Sequence, residues 1–107
     1  MILEPLPKGV DMAAYVIAMY GEVTDQDKFN EYRRQVPHTL EIYGGKYIVR
    51  GGATERVEGD WNPNRMVIIQ FETMGQAKRW YNSKEYSGPM RLRHESANAY
   101  LLFVEGV

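Results

Sequence analysis

The sequence predicts an α+β domain in which a four-stranded antiparallel sheet carries its helices on one face. Three observations point there. Apolar periodicity along the 107 residues reads strand, helix, strand, strand, helix, strand. The two halves echo each other, since Val16-Ile17, Tyr20, Thr24 and Tyr32 recur as Val67-Ile68, Phe71, Thr73 and Tyr81. The strand segments are also apolar on both sides, so both surfaces of the sheet need cover.

Residues 1–12, with Pro5, Pro7 and Gly9, show no usable period and are expected to form an extended arm ahead of a single domain at 13–107. Ala13 to Tyr20 is rich in β-formers, with Tyr15, Ile17 and Met19 on one side and Ala14, Val16, Ala18 and Tyr20 on the other. Thr24 is the expected cap of the first helix, followed by Asp25 and Asp27 where the helix dipole favours negative charge. Phe29, Tyr32, Val36, Leu40 and Tyr43 form one helical stripe, and Pro37 inside it predicts a kink or two helical pieces. Gly44 suits the left-handed position that stops a helix, and Gly45 leads into a strand at Lys46 to Arg50.

Gly51 to Arg65 reads as a long connection with short strand extensions around Thr54 to Val57, and Met66 to Phe71 as the third strand. Thr73 with Gln76 matches a capping box for a second helix through Asn82, whose inner face holds Ala77, Trp80 and Tyr81. A short helical turn is expected after Ser83, with Pro89 in the first turn of a further helix, and Ala99 to Glu105 is the last strand. Two strand–helix halves of this kind make a split βαβ, or ferredoxin-like βαββαβ, domain.

Composition narrows the function classes. A net charge of −1 lacks the basic excess of a nucleic-acid binder, so no nucleic-acid partner is expected. The absence of cysteine excludes disulfides, thiol nucleophiles and cysteine-held metals, and suits a cytoplasmic location. The longest apolar run, Ala13 to Tyr20, is too short to span a bilayer, and the start Met1-Ile2-Leu3-Glu4-Pro5 lacks a leader pattern, so no membrane anchor or export is expected. The second sheet face is expected to be covered by another copy of the chain in a two-fold homodimer, with roughly 1,600 Å² buried in all.

The strings Glu31-Tyr32-Arg33, Tyr43-Gly44-Gly45-Lys46-Tyr47-Ile48-Val49-Arg50-Gly51-Gly52, Glu58-Gly59-Asp60-Trp61 and Trp80-Tyr81-Asn82-Ser83-Lys84-Glu85-Tyr86 resemble the domain-of-unknown-function 1330 family. The resemblance covers residues 13–107 and implies a dimeric α/β barrel. It also implies a kinship of fold with antibiotic-biosynthesis monooxygenases, muconolactone isomerases and EthD-like proteins. It supplies no reaction, because fold does not fix chemistry.

Read from the residues, the ligand-facing region is a pocket between the first helix, the second strand and the Gly51–Arg65 loop. Arg50 ends its strand beside Gly51-Gly52, where it can fork two bonds onto a ligand carboxylate or pair with Glu58 or Asp60 to pin the loop. Arg65 has the same two readings, and Arg93 either joins them or points to water. Trp61 either lids the pocket or packs under its own loop. Tyr81 offers a ring to the core and a hydroxyl to a ligand. His38, Tyr43 and Glu58 are the candidate acid–base groups for isomerase, lyase or monooxygenase chemistry on a small anionic or aromatic metabolite. A non-catalytic binding or assembly module is the alternative. His38 with Glu41 gives only two ligands on one helical face, so neither a metal nor another cofactor is expected. No phosphate-binding loop or serine elbow is present.

Overall fold

A computed structural model describes residues 12–107. The predicted arm therefore lies outside the described residues, apart from Met12. The elements are β1 (Ala14–Val23), α1 (Gln26–Tyr43), β2 (Lys46–Arg50), β3 (Arg65–Phe71), α2 (Met74–Tyr81), α3 (Lys84–Ser96) and β4 (Ala97–Glu105). The strands form one antiparallel sheet in the order β2-β3-β1-β4, the ferredoxin-like arrangement.

Alternation along the strands sorts the side chains. Ala14, Val16, Ala18 and Tyr20 of β1 and Val67, Ile69 and Phe71 of β3 are buried against Phe29, Tyr32, Val36 and Leu40 of α1, Ala77 and Trp80 of α2, and Tyr86 of α3. Trp80 is fully buried, and its indole N–H donates to the Thr39 hydroxyl at 2.9 Å, which in turn donates to the Val36 carbonyl at 2.7 Å. A large ring thus enters the core without stranding its one donor.

The opposite face is a continuous apolar surface. Val49 lies opposite Ile68, Ile68 opposite Ile17, and Ile17 opposite Leu102, so one row of branched side chains crosses all four strands. Met66, Met19 and Tyr100 form the row beside it. Tyr100 is 70% exposed and Leu102 43%, and because these rows adjoin, the exposed residues form a patch and not scattered points.

The helix ends explain themselves locally, with some departures from expectation. Asp25, not Thr24, caps α1: its carboxylate accepts the Lys28 N–H at 3.1 Å, while the Thr24 and Asp25 N–H groups both donate to the Ser96 carbonyl. Pro37 does not divide α1, which runs unbroken from Gln26 to Tyr43. Proline forfeits one backbone bond, but the buried residues on either side of it, Tyr32, Val36, Thr39 and Leu40, hold both halves against the sheet.

Gly44 at φ 76° ends α1, and the Gly45 N–H bonds back to the Leu40 carbonyl in a Schellman pattern. Thr73 caps α2 by accepting the Gln76 N–H, but the expected box does not close, since the Gln76 Oε1 is buried without a hydrogen-bond partner. Ser83 caps a single helix, α3, in which Pro89 falls in the second turn and starts no further helix; Tyr86, Pro89, Arg93 and Ser96 form its buried stripe. No strand extension forms around Thr54 to Val57. Gly51 at φ 69° turns the chain off β2, and residues 51–62 are exposed.

Candidate functional site

A cleft opens between α1 and the helix-covered face of the sheet. Its walls are Val16, Ala18, Val67, Ile69 and Leu101 from the sheet and Phe29, Val36 and Trp80 from the helices, with Tyr20 and Tyr32 among them. The space it encloses is only about 20 Å³, enough for one water. Arg33, Arg50 and Arg65 line it together with Tyr47.

Arg50 reaches the cleft through an irregularity of β2. Strict alternation from Tyr47 would send Val49 inward and Arg50 outward. The ladder instead pairs Tyr47 with Ile69 and Val49 with Ile68, leaving Ile48 as an extra residue. This bulge reverses the alternation, so Arg50 lies opposite the buried Val67 and shares its face. The guanidinium stands 4.4 Å over the Tyr47 ring. Arg65, opposite Tyr20, lies on the same face. Its guanidinium lies directly over Gly51, so a side chain at that position would have to push the arginine aside as well as adopt the strained φ of 69°. Arg33 comes from α1, four residues after Phe29 and three before Val36, so it is a cation set into the apolar stripe.

Among the described residues these three cations have no ion-pair partner. The ion pairs among the described residues are Lys28–Glu95 at 3.3 Å and Arg34–Glu31, so Arg50 is not pinned by Glu58 or Asp60. Burial lowers the affinity of Arg65 for its proton, and the neighbouring Arg33 and Arg50 lower it further. An anion at the mouth would relieve both effects.

The remaining candidates are dispersed. Trp61 is 56% exposed and lines a separate groove with Val57, Glu58, Pro63 and Met66, on the loop and the open sheet face. His38 is exposed on α1 beside Gln35, Thr39, Glu85 and Pro89. The Tyr43 hydroxyl donates to the Glu85 carboxylate at 3.0 Å, tying the end of α1 to α3. Tyr81 packs edge-on against Phe103 and borders an open groove with Arg93 and His94. Arg93 neither points to water nor joins the mouth arginines: it is 4% exposed, behind Tyr86. Among the described residues no three His, Cys, Asp or Glu side chains converge on a metal-sized site, and no helix is long and apolar enough to cross a membrane.

Sheet order, helix placement and the cleft define a ferredoxin-like α+β protein with a small, cation-rimmed cavity. The chain belongs to the domain-of-unknown-function 1330 family, whose model matches residues 13–107. Among solved structures it is similar to a protein of unknown function from Rhodopseudomonas palustris, at 14% identity and a TM-score of 0.74, covering 91% of this chain and 84% of that one. It is also similar to SnoaB, a cofactor-independent oxygenase from Streptomyces nogalater, at 10% identity and a TM-score of 0.61, covering 91% and 94%. A third similar structure is a dimeric protein of unknown function and ferredoxin-like fold from Bacteroides fragilis, at 12% identity and a TM-score of 0.58, covering 88% and 96%. At these identities the likeness establishes the fold. No curated protein matches the chain.

Proposed function

We propose that the chain acts as a homodimer in which each copy binds a small organic anion at the mouth of the cleft between α1 and the sheet. Arg33, Arg50 and Arg65 hold the charged group there, and the body of the molecule rests on the apolar rim beside Tyr47, since the space behind it is no larger than a water. The observation that carries this reading is three guanidiniums at the rim of an apolar cavity that have no carboxylate partner among the described residues. The pairing rests on the apolar row across the open sheet face and on the dimeric state of the B. fragilis neighbour. A cytoplasmic setting suits the lack of cysteine.

The shared fold with a cofactor-independent oxygenase supports a version in which the bound molecule also reacts. The alternative is a binding module without turnover. The dispersed placement of His38, Tyr43 and Glu58 shifts any proton transfer away from those groups and toward the tyrosines within the cleft.

Thermal unfolding against benzoate and short aliphatic carboxylates tests the binding site. At 100 times its dissociation constant a ligand adds about 2.7 kcal/mol to wild-type stability. Arg50→Ala and Arg65→Met should lose that gain. Unchanged melting with every carboxylate, or equal shifts in wild type and variants, overturns the reading.

A further inference from the structure

Charge at the mouth of the cleft is one-sided. Among the described residues that line it are three arginines and no aspartate or glutamate, in a chain whose net charge is −1. They come from three elements, Arg33 from α1, Arg50 from the end of β2 and Arg65 from the start of β3. Arg50 pairs with Val67, two residues along β3 from Arg65 on the same face, so the two arginines stand diagonally across the ladder, within reach for long side chains. The Arg65 guanidinium lies over Gly51, the residue that follows Arg50. Side-chain hydrogen bonds and ion pairs among the described residues engage Arg34, Arg56 and Arg93 but none of the three at the mouth.

Donor and charge counts then select the head group. A guanidinium only donates, and it forks two parallel bonds onto a pair of oxygens. A carboxylate brings two oxygens and one charge, so it answers one or two of the three cations and leaves the remainder repelling each other. A phosphate monoester brings three terminal oxygens and about 1.5–2 negative charges at pH 7. Those oxygens point in three directions, which suits donors that arrive from a helix and two strands. Behind the mouth there is room only for a water, so recognition rests on the head group and not on an enclosed body. The chain lacks a glycine-rich phosphate loop, and guanidiniums here supply the donors that backbone amides supply there.

We infer that the mouth of the cleft is a phosphate site whose ligand is a small phosphate monoester, with Arg33, Arg50 and Arg65 sharing its three terminal oxygens. This deepens the anion-binding reading and rests on the same mouth. The organic part of the ester lies along the rim, where the Tyr47 ring already carries the Arg50 guanidinium at 4.4 Å and so fixes one wall of the site.

Phenyl phosphate and benzoate carry the same ring and differ in the head group. At about pH 8 benzoate is fully ionised and the phosphate has passed its second ionisation near pH 6. In calorimetric titration at fixed ionic strength, wild type should bind phenyl phosphate at least ~tenfold more tightly than benzoate. Inorganic phosphate should displace the ester. Arg33→Gln removes one cation from an exposed helix position and should bring the two affinities close to equal, without changing far-ultraviolet circular dichroism. Arg50→Gln should do the same from the sheet side and covers the case in which the helix variant does not fold. Equal affinity of wild type for the two probes, or a preference that survives in both variants, overturns the phosphate site and leaves the carboxylate reading standing. If neither probe binds wild type, both fall.

Discussion

Ile17 is the most incisive point at which to test the paired assembly. It lies on the interior strand β1, flanked across the ladder by Ile68 on one side and Leu102 on the other. In a lone copy this face is open, so a lysine at position 17 can lift its ammonium into water, and the fold should lose no more than about 1 kcal/mol of strand preference. Between two stacked sheets that escape is closed. An uncompensated charge buried in such a layer costs about 3–5 kcal/mol, and two-fold symmetry introduces it from both copies. Even the lower figure, counted once, weakens association more than ~100-fold, and both copies together weaken it ~10⁴-fold or more. Sedimentation velocity at micromolar concentration should show wild type as a pair and Ile17→Lys as a single copy, with unchanged far-ultraviolet circular dichroism. A variant that still sediments as a pair, or a wild type that sediments alone, refutes the reasoning.

Other consequences can be checked directly. Trp80→Ala, at a fully buried site against Phe71 and Tyr86, should cost about 3–5 kcal/mol in denaturant unfolding, whereas Trp80→Phe gives up the bond to Thr39 for roughly 1 kcal/mol plus a smaller packing loss. Gly45→Ala places a methyl 2.7 Å from Leu40 Cδ2 and 2.8 Å from Phe71 Cζ, so overpacking should destabilise by about 1–3 kcal/mol; an unchanged midpoint would contradict the packing. Burial raises the ionisation of Tyr20, Tyr32 and Tyr86 above that of a free phenol. Because the folded state holds these protons more tightly than the unfolded chain, their contribution is fully present below the usual tyrosine range near pH 10 and is lost as pH rises through the higher folded values. Ultraviolet titration should show these phenols ionising together with unfolding, and Tyr32→Phe should flatten the alkaline limb of stability.

Periodicity carried most of the fold. The strand faces, the α1 stripe, the Thr73 cap and the Gly44 stop were legible because each depends on side chains within a few residues. The two prolines misled because the rule that proline ends a helix is local, while the apolar residues flanking Pro37 and Pro89 are held by the sheet and by each other. The cap moved by one residue since the Ser96 carbonyl, far away in sequence, takes both the Thr24 and Asp25 amides. Arg50 and Arg65 were legible as neighbours of glycine, but the face of Arg50 depends on the extra residue in β2, which follows from pairing with β3 and leaves no mark on the composition. Arg33 did carry a signal, as a charge at a stripe position between Phe29 and Val36. The contact between the Tyr32 and Tyr86 hydroxyls joins two helices distant along the chain, and only folding reveals it.

The inserted residue at Ile48 also has a colloidal consequence. A sheet ordered β2-β3-β1-β4 ends in two rims of backbone amides, either of which can recruit a stray strand. On the β2 rim the ladder is disturbed at Ile48 and flanked by Lys46 and Arg50, which spoils the template for further growth. The β4 rim pairs regularly from Ala99 to Glu105 and carries Tyr100, Leu102 and Val104 beside it. Fibrillar growth in concentrated stocks should therefore start from β4, and a lysine or proline placed along that rim is the change that would keep such stocks clear.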